Sequence, residues 1–223
     1  MEEYLPAVTA MRLVVSMKKI CSFVALVSLA AIPALAQTGF TGYVGAGPTV
    51  PLNPLAKRTA DVGWNVSAGG GISNNHVGLM LDFMFNDLGV NSNTLTEVGA
   101  PQGSVRTWGF TLDPVFHVTR EGPADFYLTA GGGIYHRNVE FTQPGVAIVN
   151  GFDPFFGFYP VAVGTNQILA SYSVYKGGVD GGAGVAVRLG SSHVKAFVEA
   201  RYHYIFTAPV ATTMIPVTVG LRW

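Results

Sequence analysis

The last seven residues of the chain alternate between apolar and polar side chains and end on an aromatic residue. Segment 217–223 reads Val-Thr-Val-Gly-Leu-Arg-Trp. A repeat of two residues gives a β-strand one apolar face and one polar face. The ends of soluble domains commonly fray, so such a strand gains little there unless it is paired. The segment therefore predicts a terminal strand that is docked along its whole length.

The N-terminal region has the pattern of a secretory signal peptide. Lys18 and Lys19 precede an apolar run over residues 20–34. Ala34 and Ala36 then supply small side chains at the two positions that a signal peptidase reads. A transmembrane helix is the alternative, but the run is shorter than the ~20 residues that such a helix needs.

Cleavage after this region would divide the chain into two parts. We predict an N-terminal extension and cleaved signal peptide over 1–36 and a mature domain over 37–223. Cys21 is the only cysteine and lies in the removed part. The mature domain would therefore contain no disulfide and no reactive thiolate.

The composition favours a chain that exposes apolar side chains to lipid. Charged residues make up 12% of the chain, against about 25% in soluble domains. Beyond the signal peptide, no apolar stretch is long enough for a membrane-spanning helix. A β-barrel accounts for both observations, because alternate residues of its strands face lipid. The net charge of zero and the lack of a basic cluster argue against a nucleic-acid partner.

Segments of alternating character recur along the mature domain. We predict eight strands, at 39–48, 62–73, 76–86, 104–118, 124–140, 168–189, 193–206 and 213–223. Tight turns alternate with longer links, which are predicted at 49–61, 87–103, 141–167 and, with moderate length, 207–212. Short periplasmic turns and longer extracellular loops are typical of outer-membrane barrels. The predicted fold class is an all-β, transmembrane, antiparallel up-and-down β-barrel.

Segment 195–204 distinguishes two kinds of barrel because its faces differ sharply. One face is apolar and aromatic, and the other carries Lys195, Glu199, Arg201 and His203. A soluble lipocalin-like barrel would turn the charged face outward, whereas a membrane barrel would turn it into the lumen. The low charge content and the alternation of loop lengths favour the membrane barrel.

Four motifs resemble a known family. They are Phe-Val-Glu-Ala-Arg-Tyr at 197–202, Ala-Gly-Gly-Gly-Ile-Tyr at 130–135, Gly-Gly-Ala-Gly-Val at 181–185 and Val-Gly-Leu-Arg-Trp at 219–223. They are similar to small bacterial outer-membrane β-barrels related to the transmembrane domain of OmpA and to OmpX. The resemblance implies Sec-type export, insertion by the outer-membrane assembly machinery and a place in the lipid of a Gram-negative outer membrane. It also implies a structural, adhesion or surface-interaction role, and it brings no catalytic residues.

Charged residues on the inferred inner face bear on what fills the barrel. Glu199 is expected to face Gly184 on one side and Gly220 on the other. Arg201 is expected to face Gly182, so that small residues leave room for large ones. Further charges expected on the inner face are Asp82, Asp113, Asp180, Arg188, Lys195 and Arg222. Buried charges need partners, which favours a lumen plugged by salt bridges; a narrow ion or small-solute channel is the alternative.

The sequence contains no strong motif for catalysis or for binding a cofactor or metal. The glycine runs 69–71 and 131–133 are not followed by the helix that a dinucleotide-binding loop needs. The histidines, none spaced as metal ligands, are His76, His117, His136, His193 and His203. Among them, His203 is expected to join the lumen charges through Asp180. A lipid-modifying enzyme, the third interpretation, needs a nucleophile–base pair, and no histidine comes with a serine in an obvious arrangement. We therefore predict no enzymatic activity and no catalytic, cofactor-binding or metal site.

The predicted loop 141–167 is unusually aromatic. It carries Phe152, Phe155, Phe156, Phe158 and Tyr159. Exposed aromatics in a long loop can form a recognition surface for an extracellular surface or protein ligand. They can equally pack on neighbouring loops or on the outer boundary of the membrane, and the sequence leaves both open.

The signal-peptide assignment predicts the N-terminus of the exported protein. Cleavage after Ala36 should give mature protein that begins Gln-Thr-Gly-Phe, at residues 37–40. The measurement is N-terminal sequencing of protein purified from the outer-membrane fraction. An intact N-terminus in that fraction would overturn the assignment.

Overall fold

The computed structural model describes residues 39–53, 57, 60–74, 76–119, 124–190 and 193–223. The predicted signal peptide over 1–36 and its cleavage site lie outside the described residues. Among the described residues, no helix has the length and apolarity to cross a membrane.

Eight antiparallel strands form one closed barrel. Each strand pairs with its neighbour in sequence, and β1 pairs with β8 to complete the ring. The strands are β1 (Gly39–Pro51), β2 (Gly63–Ser73), β3 (Val77–Gly89), β4 (Gln102–Thr119), β5 (Ala124–Asp153), β6 (Gly157–Arg188), β7 (Lys195–Ile205) and β8 (Thr212–Arg222). The predicted fold class and strand number are confirmed, and the predicted ends are close to the observed ones except in β5 and β6.

The final residues close the ring, as their pattern predicted. Trp223 and Gly42 exchange two backbone hydrogen bonds of 3.0 Å each. Thr41 Oγ1 also donates to the carbonyl oxygen of Trp223, at 2.9 Å. A Cβ atom at Gly42 would lie 3.0 Å from the indole ring of Trp223, so glycine leaves the room that the ring occupies.

The links differ in length between the two ends of the barrel. The links at one end, here called the short-turn end, are 74–76, 120–123 and 189–194. Both described chain ends, Gly39 and Trp223, lie there. Among the links at the other end, residues 90–101 contain a short helix, α1 (Ser92–Val98). The side chain of Asn91 caps α1 by accepting a hydrogen bond from the backbone N–H of Asn93 at 3.0 Å.

The prediction of a long loop over 141–167 is wrong. β5 and β6 continue through this region as a regular hairpin, paired from Thr142 with Ile168 to Asp153 with Gly157. β4 accompanies β5 only as far as Thr142. Residues 143–167, here called the ribbon, therefore project beyond the sheet as two strands and a tight turn. Eleven residues per strand at ~3.3 Å each make the ribbon about 36 Å long.

The prolines and glycines of 143–167 predict a loop, but a two-stranded ribbon tolerates them because both of its outer edges are unpaired. Pro144 and Pro160 lack the N–H that an interior strand would need, but an edge strand has positions where no N–H is required. The ribbon leaves the barrel at a bulge, where the pairing register shifts between Phe141 and Thr142. Such a bulge bends the strands and raises their twist locally.

The two faces of the barrel wall differ in chemistry. Outward side chains form an apolar band that includes Leu79, Leu81, Phe110, Leu112, Leu128, Val198 and Val219. Aromatic residues lie in pairs toward the end of the barrel that carries the ribbon: Trp64 with Phe85, Trp108 with Tyr175, and Tyr204 with Phe206. Inward side chains include charged, polar, aromatic and aliphatic residues and form the core of the molecule.

Candidate functional site

Inward residues of β3 show how the lumen is layered along the barrel axis. From the short-turn end, they are Met80, Asp82, Met84, Asn86 and Leu88, and all five are buried. Apolar layers therefore alternate with polar ones. Asp82 marks the central charged layer, which lies between two apolar clusters.

Arg201 organises that central layer, here called the charge cluster: Arg201, Glu199, Asp82, Asp113 and Asp180. The guanidinium donates from Nε to Glu199 Oε1 at 2.9 Å. Its Nη1 donates to Asp82 Oδ2 at 2.8 Å and to Asp113 Oδ2 at 2.6 Å. Asp180 Oδ2 lies 3.8 Å from the same nitrogen. One cation thus joins four carboxylates that come from β3, β4, β6 and β7.

The register across β6 and β7 explains why the cluster fits. Glu199 lies opposite Gly184 and Arg201 opposite Gly182, as the sequence predicted. A Cβ atom at Gly182 would lie 2.8 Å from Arg201 Cα, so only glycine allows this approach. The expectation that Gly220 flanks Glu199 is wrong by two residues. Thr218 occupies that position and Gly220 faces Phe197, because the 206–211 link sets a different register for β8.

Arg222 lies between the charge cluster and an aromatic layer. Its guanidinium carbon is 4.3 Å from the centroid of the Tyr127 ring and 5.5 Å from that of Tyr43. Its Nη2 is also 3.9 Å from Glu199 Oε2. Cation–π contacts of this kind strengthen when water is excluded. Arg222 therefore faces the lumen, as predicted, with partners that the sequence did not reveal.

Two apolar clusters border the charge cluster. The one toward the short-turn end consists of Tyr43, Met80, Val115, Tyr127, Ala186 and Phe197. The one toward the ribbon consists of Met84, Tyr135, Ile205 and Met214. The cavity that Asp82 and Arg201 share with their neighbours has a volume of about 20 Å³, room for about one water molecule.

His203 joins the lumen network on the ribbon side of Arg201. Its Nδ1 is 3.0 Å from the hydroxyl of Tyr135 and 3.7 Å from Asp180 Oδ2. The predicted position of His203, beside Asp180 and the other charges of the lumen, is therefore confirmed. Tyr135 is the closer partner.

Lys195 and Arg188 occupy the short-turn end of the inner face, where the barrel opens. Lys195 Nζ donates to Asp125 Oδ2 at 3.0 Å. Arg188 has the inward position in the strand but is exposed, because it lies at the last residue of β6. The sequence prediction placed both on the inner face and overlooked Asp125.

A histidine at this opening contradicts the expectation that none is paired with a serine. His117 Nε2 is 3.2 Å from Ser73 Oγ, and His117 Nδ1 is 3.0 Å from Asp125 Oδ1. The three residues come from the ends of β2, β4 and β5, and the lateral pairing of β2 to β5 around the curved wall brings them together. Spacing along the sequence carried no signal for this arrangement.

The ribbon exposes a nearly uncharged apolar surface. Asp153 is the only charged residue in 143–167. At its tip, Phe155 and Phe156 are 91% and 85% exposed, and the Asp153 carboxylate accepts a hydrogen bond from the backbone N–H of Phe155 at 2.7 Å. Phe152 and Phe158 contact each other across the hairpin, with ring centroids 5.1 Å apart. The turn is thereby held in a defined conformation that presents the two phenylalanines.

Comparison with known proteins agrees with this architecture. A model of the outer membrane protein beta-barrel domain matches residues 22–222. The chain belongs to this family. Its barrel therefore spans the outer membrane of a Gram-negative envelope. Barrels of this kind carry short turns on the periplasmic side and longer loops outside the cell, which assigns the short-turn end to the periplasm and the ribbon to the outside.

Solved structures show similar barrels at low sequence identity. Neisserial surface protein A is 14% identical, with a TM-score of 0.55, and the alignment covers 83% of this chain and 97% of that one. Ail of Yersinia pestis, solved with the heparin analogue sucrose octasulfate, is 19% identical with a TM-score of 0.44, over 83% of this chain and 97% of that one. The N-terminal barrel of Pseudomonas aeruginosa OprF is 14% identical, with a TM-score of 0.38 and the same coverage. No curated protein matches the sequence significantly.

The charge cluster predicts a large stability difference between two arginines. Arg201→Met should lower the free energy of unfolding by about 3–5 kcal/mol, because it leaves buried carboxylates without their cation. Arg106→Met is the matched control, since Arg106 pairs with Asp87 and Glu140 but its side chain is 46% exposed; about 0–1 kcal/mol is expected. Urea titration of the barrel in lipid vesicles, followed by tryptophan fluorescence, measures both. Equal losses would contradict a central role for Arg201.

Proposed function

We propose that this barrel is a surface-interaction protein that uses the ribbon as its contact element, with the lumen closed by side chains. The observation that carries this proposal is the projection of 143–167 beyond the sheet with exposed aromatics at its tip. The barrel itself serves as the anchor. Insertion by the outer-membrane assembly machinery, with Trp223 as part of the recognised end, belongs to the same proposal.

The geometry of the ribbon supports a contact role over membrane packing. The ribbon begins where β4 stops pairing with β5, at the end of the barrel wall. Its length of about 36 Å therefore lies beyond the wall and carries the tip away from the ends of the other strands. Apolar side chains that are not covered by the protein commonly mark interaction surfaces.

The chemistry of the ribbon narrows the kind of partner. No lysine or arginine lies in 143–167, so the ribbon cannot offer the cations that bind sulfated or phosphorylated polymers. Its phenylalanines instead suit apolar or aromatic groups on an extracellular protein. Phenylalanine anchors at a fixed turn lose little conformational entropy on binding, which favours affinity.

The proposed closure of the lumen rests on packing at the centre of the barrel. Eight strands leave an interior that side chains can fill. Arg201 bridges carboxylates on opposite parts of the wall, and apolar clusters lie on both sides of it. An ion crossing the barrel would have to displace these contacts, which a buried, hydrogen-bonded network resists. A narrow channel is the competing function.

Shortening the ribbon should remove binding and leave the barrel folded. Replacement of 143–167 by Asn-Gly would join Thr142 directly to Ile168 through a two-residue turn. We expect cells that display this variant to lose adhesion to host-cell protein coated on plates. The barrel should keep its resistance to unfolding in unheated detergent gels, because β4, β5 and β6 remain paired.

Point variants provide the matched control for the ribbon. Phe155→Ser with Phe156→Ser should reduce binding at least tenfold, since both side chains are exposed at the tip. Phe40→Ser removes another exposed phenylalanine, at the short-turn end, and should leave binding unchanged. Unchanged binding by the folded ribbon variants would place the contact surface elsewhere.

Conductance measurements test the proposed closure. Purified protein in a planar bilayer should show no stable unitary current, because an ion could pass only if the contacts of the charge cluster and its apolar borders opened. Reproducible steps that change with Glu199→Ala or Arg201→Ala would instead establish the channel. This outcome would leave the contact role of the ribbon untouched.

A further inference from the structure

Three residues at the periplasmic opening have the arrangement of a nucleophile, a base and an orienting carboxylate. Asp125 Oδ1 and Oδ2 lie 3.0 and 3.1 Å from His117 Nδ1. A hydrogen bond there places a proton on Nδ1, so the neutral ring presents Nε2 as an acceptor. Ser73 Oγ lies 3.2 Å from that nitrogen. This is the order of contacts that activates a serine hydroxyl for acyl transfer.

The hydroxyl of Ser73 faces an open cavity. A cavity of about 330 Å³ opens at the short-turn end, and Ser73, His117 and Asp125 line it together with Lys195 and Arg222. This volume lies at the lower end of the range for small-molecule sites, ~300–1,000 Å³. A Cβ atom at Gly78 would lie 3.0 Å from Ser73 Oγ, so glycine at this position leaves the hydroxyl uncovered.

Burial distinguishes the base from an ordinary surface histidine. The side chains of His117 and Asp125 are 8% and 6% exposed. Their separation from bulk water strengthens the hydrogen bond between them. Lys195 Nζ contacts Asp125 Oδ2 at 3.0 Å and holds the carboxylate in place from the other side. The imidazole is therefore fixed in one orientation toward Ser73.

We propose that Ser73, His117 and Asp125 form a hydrolytic site for short carboxylic esters at the periplasmic opening of the barrel. Ser73 and His117 are the catalytic residues, and Asp125 is a positioning residue. This proposal is independent of the contact role of the ribbon, which lies on the opposite side of the membrane. It reverses the expectation from the sequence that the protein has no enzymatic activity.

The reaction follows from the hydrogen bonds. Ser73 Oγ forms a bond to the ester carbonyl carbon while its proton passes to His117 Nε2. The bond from that carbon to the alcohol oxygen then breaks, and the proton of His117 leaves with the alcohol. Water attacks the acyl-serine, gives its proton to His117 and releases the carboxylic acid, while Ser73 Oγ regains a proton. In the resting structure the Ser73 hydroxyl donates its hydrogen bond to the carbonyl oxygen of Asn74 at 3.1 Å, so this proton must turn to His117 Nε2 before the attack.

The cavity selects the substrate class by size and charge. Lys195 and Arg222 line the cavity, but Lys195 is paired with Asp125 and Arg222 stacks on the ring of Tyr127, so the wall suits an uncharged ester. A short acyl chain fits within about 330 Å³, whereas a palmitoyl chain must extend out of the opening into water. We therefore expect p-nitrophenyl butyrate to be cleaved and p-nitrophenyl palmitate to be cleaved much more slowly.

Covalent labelling tests the site on the wild-type protein. Barrel purified from outer membranes is incubated with a fluorophosphonate probe, which transfers its phosphonyl group to an activated serine and releases fluoride. Peptide mass spectrometry should locate one adduct, at Ser73, and labelled protein should no longer hydrolyse p-nitrophenyl butyrate. No adduct at Ser73 in folded wild-type protein would overturn the proposal without any variant.

Variants then separate chemistry from architecture. Ser73→Ala should abolish labelling, and His117→Asn should slow it at least 100-fold, the usual contribution of a general base. Asp125→Asn should slow it with the same compact band in unheated detergent gels. Ser171→Ala, in the exposed part of β6, is the matched serine control and should label as wild type. Labelling that is unaffected by His117→Asn in folded protein would show that Ser73 is not activated and would overturn the proposal.

Discussion

Closure of the sheet is the constraint on which the rest of this structure depends. Inside a membrane, no water is available for unpaired backbone N–H and C=O groups, so a sheet that spans lipid must have no free edge. β1 and β8 meet this requirement through pairs of constant register that end with the Gly42–Trp223 pair. Every residue placed in the lumen or at its openings takes its neighbours from that closure.

The small diameter of the ring then determines what the interior contains. Eight strands leave space for side chains but little else, and inward glycines such as Gly182 make room for Arg201. A single guanidinium bridges carboxylates from four strands, with apolar clusters on both sides. Breaking such a buried pair costs more than forming it gains. The cluster therefore acts chiefly to hold one arrangement of the wall.

The two ends of the barrel carry different chemistry because different constraints apply there. Outside the cell, β5 and β6 continue without neighbours, and free edges permit proline and a bulge at Phe141 and Thr142. At the periplasmic opening, the lumen widens into a cavity lined by Ser73, His117 and Asp125. The first feature suits contact with a partner, and the second suits a small ligand.

The sequence by itself determined the barrel. The alternation over 217–223, the low charge content and the eight patterned segments predicted the fold, the short-turn end and the inward charges, because side-chain direction in a strand depends only on the parity of the position. The tertiary structure decided which residues of neighbouring strands pair, because alternation along one strand carries no information about its partner. Segment 143–167 pairs as a ribbon although its prolines and glycines predict a loop. Thr218, and not Gly220, lies beside Glu199 because the length of the link before β8 sets the pairing register. Ser73, His117 and Asp125 come together only through the pairing of β2 to β5 around the curved wall, since they lie on three strands whose ends no local pattern relates.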